Sequence, residues 1–360
     1  MTTRTGLAVL PPLPEDAPWY VQHREFSHLL SAVQADAVFK SLLSLEVRPV
    51  DEAVVRAAHA PQYIDALKDP ASAFYQTLDQ PQSFGQELFR VREGVALQEW
   101  IEGLIRYALP DALLGAGAVC SGIQAILAGR CRNAFALVSG GGHHVERGQG
   151  RGMLNELALG AQFALDRHGL RRVAVVDYDA HFGNGVVDIF YNDPRVFKCS
   201  LHELAGDARS LVEETGSAAA PGTILNVPLP NSSGDKNYAA VIERVVIPAL
   251  RRWRPELILV FTHFDAHWSD PLGCMMLSNA GFAAINAALR RCADEVCGGR
   301  ILMGPGGGYH PNTGVRCTLD ALRILAGLPS DPAAQDRFTS SEPDITFLIQ
   351  QLSATHPLLK

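Results

Sequence analysis

The residues best suited to chemistry lie in one short stretch, where four apolar residues (173–176) run into an Asp-Tyr-Asp-Ala-His sequence and a glycine turn. The apolar run is mostly β-branched and predicts a buried parallel strand. In open α/β sheets, ligands bind outside the carboxyl ends of the strands. Asp179 and His181 are therefore candidate ligands of a divalent metal ion, because carboxylate and imidazole groups suit such an ion.

Other polar segments follow other predicted strands, at the point where each strand ends. They are Gly142-His143-His144, Ser200-Leu201-His202, Thr262 to Pro271, and Gly306 to Tyr309. Because the carboxyl ends of parallel strands share one edge of a sheet, we expect these segments to meet the first stretch. The glycine runs at 140–142 and 306–308 let the backbone approach a ligand closely. Neither run has the pattern of a phosphate-binding loop.

The elements that must position these residues alternate regularly after Pro110. The patterns predict helices over 19–43, 112–128, 154–167, 238–252 and 281–296, and strands over 6–10, 134–138, 173–176, 196–200, 224–227, 257–261 and 300–303. This alternation is typical of an α/β protein with a mostly parallel central sheet between two layers of helices. No composition break marks a linker, so we expect residues 1–360 to form a single domain. Residues 61–110 are harder to interpret and could form a lid, an oligomer contact or a surface excursion.

Composition excludes several classes of function. With a net charge of −7 and a pI near 5.9, the chain has no basic surface stripe, and nucleic acid is not an expected direct partner. The seven cysteines are scattered and lack CxxC spacing, which argues against disulfides and a thiolate zinc site. No signal-like segment opens the chain, and no apolar run approaches the roughly 20 residues of a membrane span. We expect a cytoplasmic protein without a membrane partner.

At this point the sequence resembles a known family. Four segments in order, Gly142-His143-His144, Asp177 to Gly185, Phe264 to Gly273 and Gly306 to Tyr309, are similar to the motifs of the histone deacetylase superfamily. This superfamily includes bacterial deacetylase-like amidohydrolases and acetylpolyamine amidohydrolases, and it shares its fold with arginases. The resemblance covers roughly residues 112–325 and implies the arginase/deacetylase-like three-layer fold.

The resemblance implies one catalytic zinc ion per chain, held by Asp179, His181 and Asp270. Three protein ligands leave an open position for water, as catalytic zinc requires. Asp265 and His267 compete with Asp270 for the third position, and the Asp-Pro-Leu-Gly context favours Asp270.

The resemblance also assigns roles around the metal. His144 is the expected general base and later acid, and His143 is its electrostatic partner. Asp177 is expected to hold His143, and Asn184 to hold His144, which would set the tautomer and orientation of each ring. Tyr309 is expected to donate its hydroxyl to the developing oxyanion.

Potassium is the second ion that the resemblance implies. Its expected ligands are the Asp179 carboxylate, the Ser200 hydroxyl, and the backbone carbonyls of Asp177, His181 and Leu201.

The substrate-facing segments depart from the family. The segment after the histidine pair is shortened to Gly152-Met153-Leu154 and lacks the usual aromatic residue, although the Gly152 carbonyl is still expected to accept the substrate amide, with Met153 beside it. The loop after His202 also differs. His263 stands where the family more often has a small residue, and a packed histidine is the favoured interpretation over an alternative ligand. The zinc chemistry transfers to this chain, but the substrate specificity does not.

The leading hypothesis is zinc-dependent hydrolysis of an acylated amine: an acyl-lysine in a peptide, an acetylpolyamine or a small N-acyl metabolite. An arginase-like ureohydrolase is disfavoured, since Gly183 occupies the position of the carboxylate that a second metal needs. A non-catalytic binding module is the alternative from another class, kept open by the altered substrate segments. An oligomer is possible.

Overall fold

The computed structural model describes residues 4–18, 24–78, 96–138, 142–150, 152–204, 206–331, 336 and 341–360. Its centre is one sheet of eight parallel strands, in the order β2-β1-β3-β8-β7-β4-β5-β6. The strands are β1 Thr5–Val9, β2 Leu43–Leu45, β3 Asn133–Leu137, β4 Val173–Asp177, β5 Val196–Glu203, β6 Ile224–Leu229, β7 Leu257–His263 and β8 Ile301–Gly307. The predicted α/β class with a central, largely parallel sheet is confirmed.

Helices cover the sheet. They are α1 Arg24–Ala35, α2 Glu52–Ala58, α3 Pro61–Lys68, α4 Ala73–Leu78, α5 Leu97–Gly103, α6 Leu109–Leu127, α7 Glu156–His168, α8 Asn184–Ile189, α9 Asp235–Val241, α10 Ile247–Trp253, α11 Asn279–Cys297, α12 Pro311–Leu325 and α13 Thr346–Thr355. Short π-helical turns join α5 to α6 and α9 to α10.

The helices form two layers, one on each face of the sheet. Helices α6 and α7 pack on each other and on the central strands, while α11 and α12 pack together on the same strands from the other side. Strands β3, β4 and β7 are buried along their whole length, which explains their apolar sequences. The main hydrophobic core includes residues from Leu7 to Leu352. The assignment of residues 1–360 to one domain stays a prediction.

The continuous helical stretch Leu97–Leu127 corrects the expectation that no apolar run approaches the length of a membrane span. Among the residues that the structure describes, it is long and apolar enough to cross a membrane, with a mean hydropathy of 1.3 in its most apolar window. However, 67% of that window is buried inside the protein. Burial of this extent is typical of a core helix, and α6 packs on strands β1 and β3.

The first helix differs from its sequence interpretation, and the described parts of region 61–110 are largely helical. Helix α1 ends at Ala35 rather than near residue 43, because the Asp36 side chain accepts the Val38 backbone N–H and starts a 3₁₀ turn. The edge strand β2 follows this turn. Within 61–110, helices α3 and α4 precede residues 79–95, which lie outside the described chain, and Trp100 of α5 joins Tyr75 in a second small core.

Candidate active site

Five adjacent strands deliver the polar segments to one edge of the sheet. In the order β3-β8-β7-β4-β5, these strands occupy the middle of the sheet. Asp177 at the end of β4 lies in register with Phe261 of β7 and Ser200 of β5. The segments after these strands therefore meet, as expected from their sequence positions. Gly140 and Gly141 of the first glycine run, and Ser139 before them, lie outside the described residues.

His143 is a buried histidine held between two carboxylates. Its Nδ1 lies 3.0 Å from Asp177 Oδ2, the predicted contact, and its Nε2 lies 3.4 Å from Asp179 Oδ2. Burial lowers the pKa of His143, but the charges of Asp179 and Asp177 outweigh burial and leave the pKa above its usual value. In the metal-free site His143 is therefore disposed to carry a proton.

His144 is the second histidine of the pair, and its ring centroid lies 4.0 Å from that of His143. Its Nδ1 lies 2.6 Å from Asn184 Oδ1, as predicted. Asn184 in turn donates its Nδ2 to Glu146 Oε1 at 2.8 Å. An ionised carboxylate only accepts hydrogen bonds, so Glu146 fixes the Asn184 amide with its oxygen toward His144. His144 must then carry its proton on Nδ1, which leaves Nε2 with a free lone pair.

The protonation of His144 agrees with this geometry. Burial and the charge of the neighbouring His143 together lower the pKa of His144 to about 4. His144 is therefore neutral near pH 7. The surroundings thus favour the charged form of His143 and the neutral form of His144, which suits the role of a cation for the first and of a base for the second.

A group of possible metal ligands lies beside the pair. Ligand atoms of Asp179, His181 and Asp265 all lie within 4.8 Å of one another. His181 Nδ1 lies 3.0 Å from Asp179 Oδ1 and 2.9 Å from Asp265 Oδ2. Hydrogen bonds to these two carboxylates raise the pKa of His181 to about 11, whereas burial and the charge of Asp179 raise the pKa of Asp265 to about 6.

Asp270 stands apart from this group among the described residues. Its Oδ2 accepts the Tyr309 backbone N–H at 2.7 Å, and its Oδ1 accepts the Leu272 N–H at 3.0 Å. The structure therefore groups Asp265, rather than Asp270, with Asp179 and His181. The assignment of Asp270 as the third zinc ligand stays a prediction.

Tyr309 lies at the mouth of the site. Its side chain is exposed, at 58% of full accessibility. Burial of its hydroxyl and the charges of nearby carboxylates raise the pKa of Tyr309, so the hydroxyl keeps its proton and can donate. The hydroxyl of an exposed ring is free to turn toward a bound substrate.

His263 adds a third imidazole to the buried part of the site. It is the last residue of β7 and is 6% exposed. Its Nδ1 contacts Asp179 Oδ2, and its ring centroid lies 4.8 Å from that of His143. These three residues form a second group whose ligand atoms lie within 4.8 Å of one another. His263 is thus packed in the interior, the interpretation favoured from the sequence, and it also contacts Asp179, a predicted metal ligand.

The loop from Phe264 to Gly273 is supported by a residue from outside the motifs. Asp336 accepts His267 Nε2 at 3.0 Å and the Asn279 backbone N–H at 2.9 Å, and it also contacts Trp268 Nε1. His267, the other alternative ligand, is therefore engaged away from Asp179. Asp336 ties this loop to the start of helix α11.

The residues expected to bind potassium lie beside Asp177. The Ser200 hydroxyl is 2.9 Å from His202 Nδ1 and accepts the Gly183 N–H at 3.3 Å, and Leu201 is fully buried. His202 Nε2 also reaches the Ser210 carbonyl at 3.1 Å and so tethers the loop that follows β5. Potassium binding stays a prediction.

The predicted substrate-binding residues lie close to helix α3. The Tyr63 hydroxyl donates to the carbonyls of Gly152 and Met153, each at 3.0 Å. A carbonyl has two lone pairs, so Gly152 can still accept a substrate amide. These contacts bring part of region 61–110 next to the substrate segment, while its role as lid or oligomer contact stays a prediction.

Sequence reasoning missed several supporting residues. Glu146 lies two positions after the histidine pair and fixes Asn184, and buried Glu156 accepts the Gly142 N–H at 2.9 Å. Each is an acidic residue beside a motif, but its partner becomes visible only in three dimensions. The seven cysteines are all free, and six are buried, in agreement with the expected absence of disulfides.

The fold can be compared with solved structures. The crystal structure of the HDA15 HD domain matches with a TM-score of 0.74 and 23% sequence identity, covering 96% of this chain and 93% of that one. At this identity the match shows the fold alone. It places the protein in the deacetylase-like class of α/β folds.

Sequence comparisons then define the family. The histone deacetylase domain family matches residues 20–325. The chain is 35% identical over 234 residues to histone deacetylase 10, chloroplastic, of Oryza sativa subsp. japonica, a match that covers 63% of this chain and 53% of the rice protein. It is 36% identical over 243 residues to the histone deacetylase-like amidohydrolase of Pseudomonas aeruginosa, covering 66% and 64% of the two chains. The chain therefore belongs to the histone deacetylase family, although it spans about half the length of the rice relative.

Proposed function

We propose that this protein is a zinc-dependent amidohydrolase that removes an acetyl or other acyl group from an amine. The observation that carries the proposal is the pair His143 and His144, each held by its predicted partner, with His143 also next to the buried carboxylate of Asp179. Membership of the histone deacetylase family supports the same class of reaction. The substrate would be an acyl-lysine, an acetylpolyamine or a small N-acyl metabolite.

The residues present fit a zinc ion. Asp179 and Asp265 are buried carboxylates on either side of His181. Burial is the main cause of the raised pKa of Asp265, and the negative charge of Asp179 is the second cause. A cation would relieve that repulsion. Asp179 and His181 would hold zinc together with Asp270, or with Asp265 in the arrangement that the structure groups. When bound, zinc would polarise the amide carbonyl and lower the pKa of a water molecule.

The histidine pair would move the protons. His144 Nε2 carries the free lone pair, so it would take a proton from the attacking water and later return it to the leaving amine. His143, disposed to be cationic between Asp177 and Asp179, would stabilise negative charge that develops in the transition state. Asn184 and Asp177 would keep each ring in orientation throughout.

Tyr309 would complete the reaction site from the mouth. Its neutral hydroxyl would donate to the oxyanion of the tetrahedral intermediate. Leu272 and Tyr309 donate their backbone N–H groups to the two oxygens of Asp270, so the exposed Leu272 lies near Tyr309. An acyl amine with an apolar stem suits such an entrance, because burying the stem removes apolar surface from water.

An arginase-like ureohydrolase meets a steric obstacle in this chain. Such an enzyme needs a carboxylate at position 183, but a Cβ atom at Gly183 would lie 2.4 Å from Asp177 Oδ2. Asp177 is the partner of His143, so the two arrangements exclude each other. This contact supports the one-zinc proposal.

The decisive experiment is turnover by zinc-loaded protein on a panel of N-acetyl-lysine peptides, acetylpolyamines and short N-acyl amides. We expect release of the free amine from at least one class, with one zinc per chain by elemental analysis. Protein that holds zinc but turns over no member of the panel would instead be a binding module. Two tightly bound zinc ions per chain would contradict the one-zinc site.

A further inference from the structure

His263 occupies the floor of the site without belonging to any of the matched motifs. Its Nδ1 contacts Asp179, and its ring centroid lies 4.8 Å from that of His143. Within the part of the chain that the structure describes, its Nε2 has no hydrogen-bond partner. Core packing alone does not require a buried imidazole with one nitrogen against a predicted metal ligand, because an aliphatic side chain would fill the same space without a polar atom.

The two oxygens of Asp179 face different partners. Oδ1 accepts the His181 backbone N–H at 2.6 Å and lies toward His181 Nδ1 and Asp265. Oδ2 is in contact with His263 Nδ1 and lies 3.4 Å from His143 Nε2. The carboxylate is thus oriented by contacts at both ends, and His263 takes the oxygen on the side away from His181.

We propose that His263 is a positioning residue that holds Asp179 Oδ2, so that Asp179 binds the metal through Oδ1 alone. The inference rests on the proposed function, because it takes Asp179 as a ligand. A carboxylate that binds through one oxygen leaves a coordination position free for water and substrate, whereas one that binds through both oxygens fills it. His263 would therefore keep the open position that catalysis needs.

One alternative uses the same residues differently. His143, Asp179 and His263 could themselves hold a second ion, since their ligand atoms lie within 4.8 Å of one another. In that arrangement His263 would be a ligand, and the protein would bind two ions. The number of ions per chain separates the two possibilities.

The test compares His263→Leu and His263→Asn with the wild-type protein after replacement of zinc by cobalt. Leucine removes the N–H donor, while the amide N–H of asparagine lies at a similar distance from the backbone as Nδ1 of histidine. The readouts are ions per chain, the intensity of the visible cobalt absorption, and zinc affinity by competition with a chelator. His356→Leu is the matched control: His356 is also buried, at 1% exposed, and bonds the Ile224 carbonyl at 2.8 Å, remote from the site.

We expect one ion per chain in all four proteins. In His263→Leu the visible cobalt absorption should be weaker, because the absorption falls as the coordination number of the metal rises. Its zinc affinity should be lower by roughly 10- to 100-fold, the usual effect of losing a residue that hydrogen-bonds a metal ligand. His263→Asn should retain the wild-type spectrum, and His356→Leu should change thermal stability only.

Three results would overturn the proposal. They are a His263→Leu spectrum identical to that of the wild type, a wild type with two ions of which the His263 variants lose one, and a wild type that binds no cobalt. If His263→Leu does not fold, the cobalt spectrum of His263→Asn is compared with that of the wild type instead. A difference as large as a change of metal ligands would produce then counts against the proposal. Failure of the proposed function looks different, because metal-loaded wild type would then give the expected spectra but no turnover on the substrate panel.

Discussion

The orientation of the Asn184 amide makes a sharp prediction about His144. Glu146 accepts from Asn184 Nδ2, so Asn184 Oδ1 faces His144 and requires the tautomer with the proton on Nδ1. Turning the amide over would place its oxygen against the Glu146 carboxylate and lose a hydrogen bond to a charged group, which is worth about 1.5–3 kcal/mol. The tautomer that serves as a base is thus favoured by roughly 10-fold or more.

Asn184→Leu removes this control. The Nδ1–H of His144 then loses its acceptor, and a buried donor without a partner costs about 1–3 kcal/mol. We expect kcat/KM to fall by roughly 5- to 150-fold, since each 1.36 kcal/mol is a factor of ten in rate. Bound zinc should not change, because Asn184 belongs to neither ligand group. Glu146 keeps its bonds to Gln149 and Arg209, so the fold should survive.

Two measurements check this prediction. Nitrogen-15 NMR of histidine-labelled protein reports which ring nitrogen carries the proton, and subtracting the spectrum of His144→Gln identifies His144 among the twelve histidines. Turnover and zinc content are measured on the same samples. Asn133→Leu is the control, because Asn133 is a buried amide at the opposite end of β3 that bonds the Leu325 carbonyl. Wild-type His144 protonated on Nε2, or an Asn184→Leu variant within twofold of wild type, would refute the reasoning.

Three further predictions concern other groups. Tyr309→Phe should lower kcat by roughly 10²- to 10³-fold, the cost of losing one oxyanion donor. Zinc content should not change, and neither should Tm, because the ring is 58% exposed. Near-normal turnover would remove Tyr309 from the mechanism. Asp265→Asn should weaken zinc binding by roughly 10- to 100-fold if Asp265 only supports the ligands, and Asp270→Asn should weaken it more. Zinc affinity is measured by competition with a chelator. A larger loss of affinity in Asp265→Asn than in Asp270→Asn would assign Asp265 as the ligand. Burial lowers the pKa of Lys198 from 10.5 to about 7, so the unfolded chain binds the extra proton between these values and stability should rise with pH there, by at most about 1.4 kcal/mol per unit. Lys198→Met should lose that slope in urea unfolding, and an unchanged slope would contradict the lowered pKa.

Most of the sheet could be predicted because its strands are buried on both faces and read as apolar runs. The exceptions depend on tertiary contacts. Strand β2 has three residues and exists because it pairs with β1, which no local pattern announces. Strand β8 continues into a glycine-rich stretch that alone predicts a loop, because Gly306 and Gly307 pair with Thr262 and His263 of β7. Strand pairing there overrides the weak β propensity of glycine.

The candidate site divides in the same way. His143, His144, Asp179 and His181 could be found from residue types placed just after predicted strands. Glu146 could not, since its role depends on Arg209 and Asn184, which lie 63 and 38 positions away in the chain. The grouping of Asp265 with His181 likewise follows from how two loops from β4 and β7 meet in space.

The support that Asp336 gives to the loop from Phe264 to Gly273 has a consequence for shortened forms of the protein. The family model matches residues 20–325, so Asp336 lies outside the matched range while it bonds His267 within it. The loop that carries Asp265 and Asp270 is thereby anchored from beyond residue 325. A protein truncated at the end of the matched range would keep every motif of the site but lose the contacts that hold this loop.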